Sequence, residues 1–237
     1  MPMDEKRIEQ LKKLSEKLSH AFRDFILFNT ALTHRSYANE NPETVREDNE
    51  RIEFLGDAVL QLCISDILIK KFPEYNEGQL SKVRAAMVNE QPLAGLAREY
   101  RIGDFMLLGK GEENSGGRDK DSILGNAIEA IIGSIYLDGG YESALRFIET
   151  SFQPLVDEWI ECPLYMDYKS LLQETSQSRF KLVPQYQIVS ESGPDHDKTF
   201  TIEISINDTT ITAGTGKNKK EAEQDAARKA LDKLENT

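Results

Sequence analysis

An all-α unit followed by a small α+β unit of order α-β-β-β-α is the fold that the sequence predicts. Three observations predict it. Apolar residues recur at helical spacing from residue 5 to about residue 140, and no convincing strand occurs before residue 160. Three short runs with β-branched residues and alternation occupy 184–217, separated by turn-forming Gly, Asn and Asp. Helical patterns flank those runs, so the last stretch makes a small sheet with both helices on one face. The first unit is placed at residues 1–160 and the second at 164–237, with the junction near Val156–Leu164.

The elements follow in order. Residues 5–19 put Ile8, Leu11, Leu14 and Leu18 on one side of a helix, and a second helical pattern covers roughly 25–37. NERIEFLGDAVL, residues 49–60, opens a helix that continues through QLCISDILIKKF to Pro73. Another starts near EGQLSKVRAAMV, and Pro92 belongs in the first turn of the next. GKGEENSGGRDKDS, residues 109–122, reads as a flexible loop from its Gly, Asn, Ser and charge. SILGNAIEAIIGSIYLDGG is a strongly apolar helix closed by Gly139 and Gly140. In the second unit YMDYKSLLQETSQ is a helix, PQYQIVSESG, KTFTIEISIND and TTITAGTGK are strands, and KKEAEQDAARKALDKL is the closing helix.

Composition narrows the function classes. With 39% hydrophobic and 30% charged residues over 237 positions, the chain can bury a real core. No apolar run approaches bilayer length, and the N-terminus MPMDEKRIEQ lacks the apolar stretch of a signal peptide. Cys63 and Cys162 are far apart and form no C-x-x-C, so reduced thiols in a cytoplasmic protein are the simplest reading. No Cys/His cluster offers a zinc site, and GKGEENSGG lacks the G-K-[ST] ending of a phosphate loop. The net charge of −12 is unevenly spread: residues 1–163 carry 19 basic and 29 acidic residues, residues 164–237 carry 10 and 12. The strongest basic cluster, GKNKK at 216–220, lies in the second unit.

The acids carry the chemistry. Glu50, Glu53 and Asp57 recur at spacings of three and four and stack on one helix face, where like charges repel. Only Arg51 lies near enough in sequence to offset them. Glu129 stands among Ile128, Ile131 and Ile132. Alone, it reads equally well as a core ion pair. Two apolar helices each carrying inward carboxylates instead build an oxygen-ligand pocket suited to Mg²⁺, with Mn²⁺ as a substitute. Such an ion activates water and stabilises charge on a phosphate in transfer.

NERIEFLGDAVL resembles the signature of the ribonuclease III family over a dozen residues. ALTHRSY at 31–37, GKGEENSGGRDKDSIL and IEAIIGSIYLDGG are similar to that family in the same order. The last seventy or so residues resemble its double-stranded RNA-binding domain. The resemblance implies a dimeric all-helical nuclease domain and a Mg²⁺-dependent cut in each strand of an RNA duplex, leaving 5′-phosphate and 3′-hydroxyl ends. It further implies work in rRNA and mRNA maturation. By residue, it places Glu53, Asp57 and Glu129 on the family's metal-binding acids, with Asp57 and Glu129 as the inner, catalytic pair. Glu50 and Glu77 fall on acids at the subunit boundary and RNA edge.

One position departs from the pattern: Asn126 stands where the family has Asp, three residues before Glu129. Its carbonyl can still serve a hard cation, at the loss of one negative charge. Activity at reduced metal affinity is the expectation, and a duplex-RNA-binding protein with an impaired nuclease site is the alternative. In the second unit Lys217, Lys219 and Lys220 sit at a helix start, where cations and free N–H groups both favour phosphate. With Gln173, Gln177 and His196 in the Gly193–His196 loop they match the family's three RNA contacts, which read duplex shape with little sequence preference. Asp195, Asp197 and Asp225 add nearby negative charge that weakens binding. Arg118 and Lys120 are candidate RNA contacts from a solvated loop. His34 reads as a packing or capping residue, and Trp159 and Tyr165 as packing residues near the junction.

Overall fold

The computed structural model describes residues 3–161, 168–194, 198–207 and 209–235. The chain forms two compact units, Met1–Glu158 and Trp159–Thr237.

The first unit is helical, in the order α1 (Glu5–Lys17), α2 (Phe25–Ala31), α3 (Arg35–Glu40), α4 (Glu50–Lys71), α5 (Glu77–Met87), α6 (Glu90–Glu99), α7 (Lys110–Asn114), α8 (Asp121–Gly139) and α9 (Tyr141–Glu161). Local chemistry starts most of them. The Asp4 carboxylate caps α1 by accepting from Arg7 N at 2.6 Å, and Asn76 with Gln79 forms a capping box on α5. Pro92 lies in the first turn of α6, and Gly140, at φ +77°, ends α8. The centre is α8: Ile123, Leu124, Ile128, Ile131, Ile132 and Ile135 are all buried, and α2, α4 and α6 pack on it.

Two expectations are corrected. The pattern over 25–37 forms two helices, because Leu107 diverts the backbone between them: Leu107 N donates to Leu32 O at 2.9 Å and His34 N to Leu107 O at 3.0 Å. His34 then caps α3, with Ser36 N donating to its Nδ1 at 3.3 Å, and burial lowers its pKa from the ordinary histidine value, which favours the neutral ring that such an acceptor requires. Residues 109–122 are an ordered segment containing α7 and a 3-10 turn at Gly117–Asp119. Arg118 pins it by donating to Glu113 at 2.6 Å and to the Gly103 and Met106 carbonyls, and Lys120 Nζ holds Glu112 at 2.5 Å. Arg118 and Lys120, the candidate RNA contacts of this segment, are thus engaged in bonds that order it.

The second unit runs α10 (Tyr168–Phe180), β1 (Gln185–Ser192), β2 (Thr199–Ile206), β3 (Thr209–Gly216) and α11 (Lys219–Glu235). The sheet is antiparallel in the order β1-β2-β3, with Tyr186 opposite Ile204 and Ile202 opposite Gly214. Leu172 of α10, Ile204 of β2 and Ala226, Ala227, Ala230 and Leu231 of α11 form its core. Alanines and glycines set the spacing: a Cβ on Gly214 would lie 2.1 Å from Ala226 N, and one on Gly216 2.4 Å from Ala222 N. The Trp159 side chain and Tyr165 lie outside the described residues.

Candidate active site and nucleic-acid interface

Helices α4 and α8 cross through a pair of glycines. A Cβ on Gly56 would stand 1.7 Å from Glu129 O, and one on Gly133 2.3 Å from Ile52 O. Backbone therefore touches backbone, as it can only where side chains are absent. On α4 the buried stripe of Ile52, Val59, Leu60, Cys63 and Ile64 faces the core and leaves Glu53 and Asp57 half-buried on its flank. On α8 the same geometry leaves Asn126 exposed and Glu129 half-buried. Because Gly56 immediately precedes Asp57, the crossing brings Asp57 and Glu129 within electrostatic reach of each other.

The site carries more negative charge than it can hold comfortably. Burial, then the neighbouring Asp57 and Glu53 carboxylates, pushes Glu129 up to about 7. Burial and Glu50 also raise Glu53, against a hydrogen bond from the Asn126 amide that favours its ionised form. Asp57 receives the Gln61 amide, whose Nε2 donates to Oδ1 at 3.0 Å and Oδ2 at 3.2 Å. Among the described residues no group of three or more His, Cys, Asp or Glu is placed so that it could by itself hold a metal ion. The donor set still fits a hard divalent cation: the ligands are oxygens, unbalanced negative charge lifts a carboxylate, and water can supply the remaining positions. It does not fit zinc, which prefers nitrogen and sulfur.

Glu50 lies beside this group and raises Glu53, but it is itself exposed and paired with Arg35 of α3, Nη1 to Oε1 at 2.9 Å. Tertiary structure thus supplies a cation that the local sequence lacks. Glu77 is placed elsewhere, at the start of α5, where it accepts from Ser81 Oγ at 2.8 Å. With Ser65, Leu68, Ile69, Leu80, Ser81 and Arg84 it lines a cleft of 340 Å³. The outer face of α4 carries Phe54 (82%), Leu62 (57%) and Ile69 (61%), an exposed apolar stripe.

In the second unit Gln173 and Gln177 are exposed one turn apart on α10. Lys217, Lys219 and Lys220 are exposed around the start of α11, where the Asn218 side chain caps Glu221 N at 2.9 Å. Lys219 also lies 4.0 Å from Glu191 and over the Phe200 ring at 5.8 Å. His196, with Asp195 and Asp197, lies outside the described residues. Asp225 does not add free negative charge to this surface. Burial raises it, but Lys229, Thr215 N and Arg228 donate to it and together hold it below the ordinary carboxylate range.

Sequence reasoning missed three contributors: Gln61, Arg35 and the Gly56/Gly133 crossing. Gln61 carried a usable signal, since it stands one helical turn beyond Asp57 on the same face. The other two depend on contacts remote in sequence.

Comparison with known proteins identifies relatives of both units. The Ribonuclease-III-like family profile matches residues 24–155, and the double-stranded RNA binding motif matches residues 168–234. Ribonuclease 3 of Syntrophobacter fumaroxidans is 48% identical over 225 residues, covering 93% of each chain. Ribonuclease 3 of Borreliella burgdorferi is 47% identical, over 97% of this chain and 94% of its own. A solved nuclease domain of ribonuclease III from Campylobacter jejuni, described for flexibility in a region involved in dimer formation, superposes with a TM-score of 0.55 at 46% identity. It covers 60% of this chain and 99% of that one. Among the described residues no helix is long and apolar enough to cross a membrane.

Proposed function

The chain belongs to the ribonuclease III family, and from that premise we propose that it is a metal-dependent endoribonuclease of double-stranded RNA that acts in rRNA and mRNA maturation in the cytoplasm. The single observation that carries the mechanism is the proximity of Glu53, Asp57 and Glu129 at the α4–α8 crossing, with Glu129 lifted to about 7 by burial and then by the Asp57 and Glu53 charges. Glu53, Asp57, Asn126 and Glu129 would hold Mg²⁺, or Mn²⁺ in its place, with Asp57 and Glu129 as the inner pair. Bound there, the ion supplies Lewis acidity toward water and toward the phosphate that accepts it. The protein's own part is positional. The glycine crossing fixes the separation of the two inner acids, Gln61 donates to Asp57, and Asn126 keeps a hydrogen bond on Glu53. Attack of water on phosphorus with departure of the 3′-oxygen leaves 5′-phosphate and 3′-hydroxyl ends.

The domain limits that fit this reading are a nuclease unit over residues 1–160 and an RNA-binding unit over 164–237. Gln173, Gln177 and His196 would meet the minor-groove side of the duplex, and Lys217, Lys219 and Lys220 its phosphates. The active species is a homodimer. Each chain supplies one set of acids, a duplex needs two cuts, and the exposed Phe54/Leu62/Ile69 stripe offers an apolar face beside them, with Glu50 and Glu77 at its margins. The active enzyme is favoured over the impaired-nuclease alternative because Glu53, Asp57 and Glu129 are all retained beside Asn126. The test is end-group analysis of products from a long duplex RNA, with Mg²⁺ and with chelator, alongside sedimentation. Metal-dependent products with the stated ends from a dimer support the reading. Cleavage by a monomer on both strands, or cleavage that persists in chelator, overturns it.

A further inference from the structure

We propose that Gln61 is a positioning residue for the metal site, acting through Asp57. This inference rests on the functional reading above. A helix tilts its side chains toward its N-terminus, so the long side chain of residue i+4 reaches back over residue i. Gln61 does so with its amide nitrogen 3.0 and 3.2 Å from the two Asp57 oxygens. Its backbone is tied in turn: Ser65 Oγ donates to Gln61 O at 2.6 Å, and Arg84 of α5 donates to Ser65 Oγ at 2.8 Å. The stripe Asp57–Gln61–Ser65 is thereby continuous along α4 and anchored on α5.

The arrangement does little for the fold, since an i,i+4 polar pair on a half-buried flank stabilises a helix only slightly. Its effect falls on the carboxylate. An ionised carboxylate has about four acceptor positions, and one neutral donor can restrict its rotamers while leaving oxygens open to a cation. Glutamine suits this because it donates without adding charge; a lysine at the same place would compete with the ion. Among the described residues Glu129 has no comparable donor, so Asp57 is the inner acid whose orientation is set before a cation arrives. Groups that orient a metal ligand typically contribute a factor of about 10–100 in metal affinity or activity.

The experiment uses the full chain with Gln61→Met, which keeps length and helix preference and removes the donor. Four quantities are measured: melting temperature, duplex-RNA affinity in chelator, Mn²⁺ binding by electron paramagnetic resonance, and cleavage rate against Mg²⁺ concentration. The expected result is an unchanged melting temperature and RNA affinity, a Mn²⁺ dissociation constant and half-saturating Mg²⁺ raised about tenfold, and a maximal rate recovered at high Mg²⁺. Mn²⁺ binding equal to the parent overturns the proposal, as does a parent that binds no Mn²⁺. If Gln61→Met melts without cooperativity, Gln61→Ala decides by the same readings. A parent that binds Mn²⁺ but cuts no RNA defeats the functional reading alone, because the Mn²⁺ comparison still judges Gln61.

Discussion

Gly56→Ala tests whether the helix crossing builds the site. The added methyl would lie 1.7 Å from Glu129 O, about half an ordinary contact distance, and its neighbours are backbone atoms that cannot rotate away. Helices α4 and α8 must therefore separate by more than an ångström where their backbones touch. Overpacking of this kind costs about 1–3 kcal/mol, and contact with backbone places this case at the upper end, about 3 kcal/mol. For a unit of this size that corresponds to a fall of roughly 6–12 °C in melting temperature. Separation also moves Asp57 from Glu129 and lets water in, which relaxes both the burial and the repulsion that lift Glu129 and spoils the proposed cation site. Urea unfolding followed by helical circular dichroism gives the stability, and Mg²⁺ titration of duplex cleavage gives the function. A Gly56→Ala protein with parental stability and a parental Mg²⁺ requirement would refute the reasoning.

Other outcomes follow from the same structure. Glu129 titrates higher in the folded protein than its ordinary 4.5, so the metal-free fold loses stability as pH rises through about 4.5–7 and stays weaker above that window. Glu129→Gln removes this dependence and stabilises the metal-free protein at pH 8, on the order of 1 kcal/mol after discounting for solvent at a half-buried group, readable by urea unfolding in chelator at pH 5 and pH 8. Asn126→Asp exchanges the donor on Glu53 for another charge: it lowers the melting temperature in chelator and reduces the half-saturating Mg²⁺ about tenfold, as higher ligand charge tightens divalent sites. Lys220→Ala weakens duplex binding equally across sequences and flattens its log–log salt slope by about 1, measured by titration at several salt concentrations.

What was legible in the sequence was periodic. Helices α4 and α8 follow from apolar spacing, and the stacking of Glu53 on Asp57 and of Asn126 on Glu129 follows from intervals of four and three. The α-β-β-β-α order was readable because the strand runs alternate and their turns carry Gly and Asn. What was not legible depends on partners distant in sequence. The break at Thr33–His34 exists because Leu107 competes for the backbone hydrogen bonds. The segment 109–122 has the composition of a mobile loop, yet Arg118 finds two carbonyls and a carboxylate that order it. Arg35 offsets Glu50 from another helix, and no local pattern announces it. Helix α9 carries Pro154 within its length, a residue that read locally argues against a continuous helix.

The most direct test of the central claim compares the parent chain with Glu129→Gln on a long duplex RNA in Mg²⁺, measuring binding and cleavage in the same samples. The account predicts that both bind the duplex with similar affinity and that only the parent cuts it. A parent chain that binds the duplex and leaves it whole, or a Glu129→Gln chain that cuts at the parental rate, would contradict it.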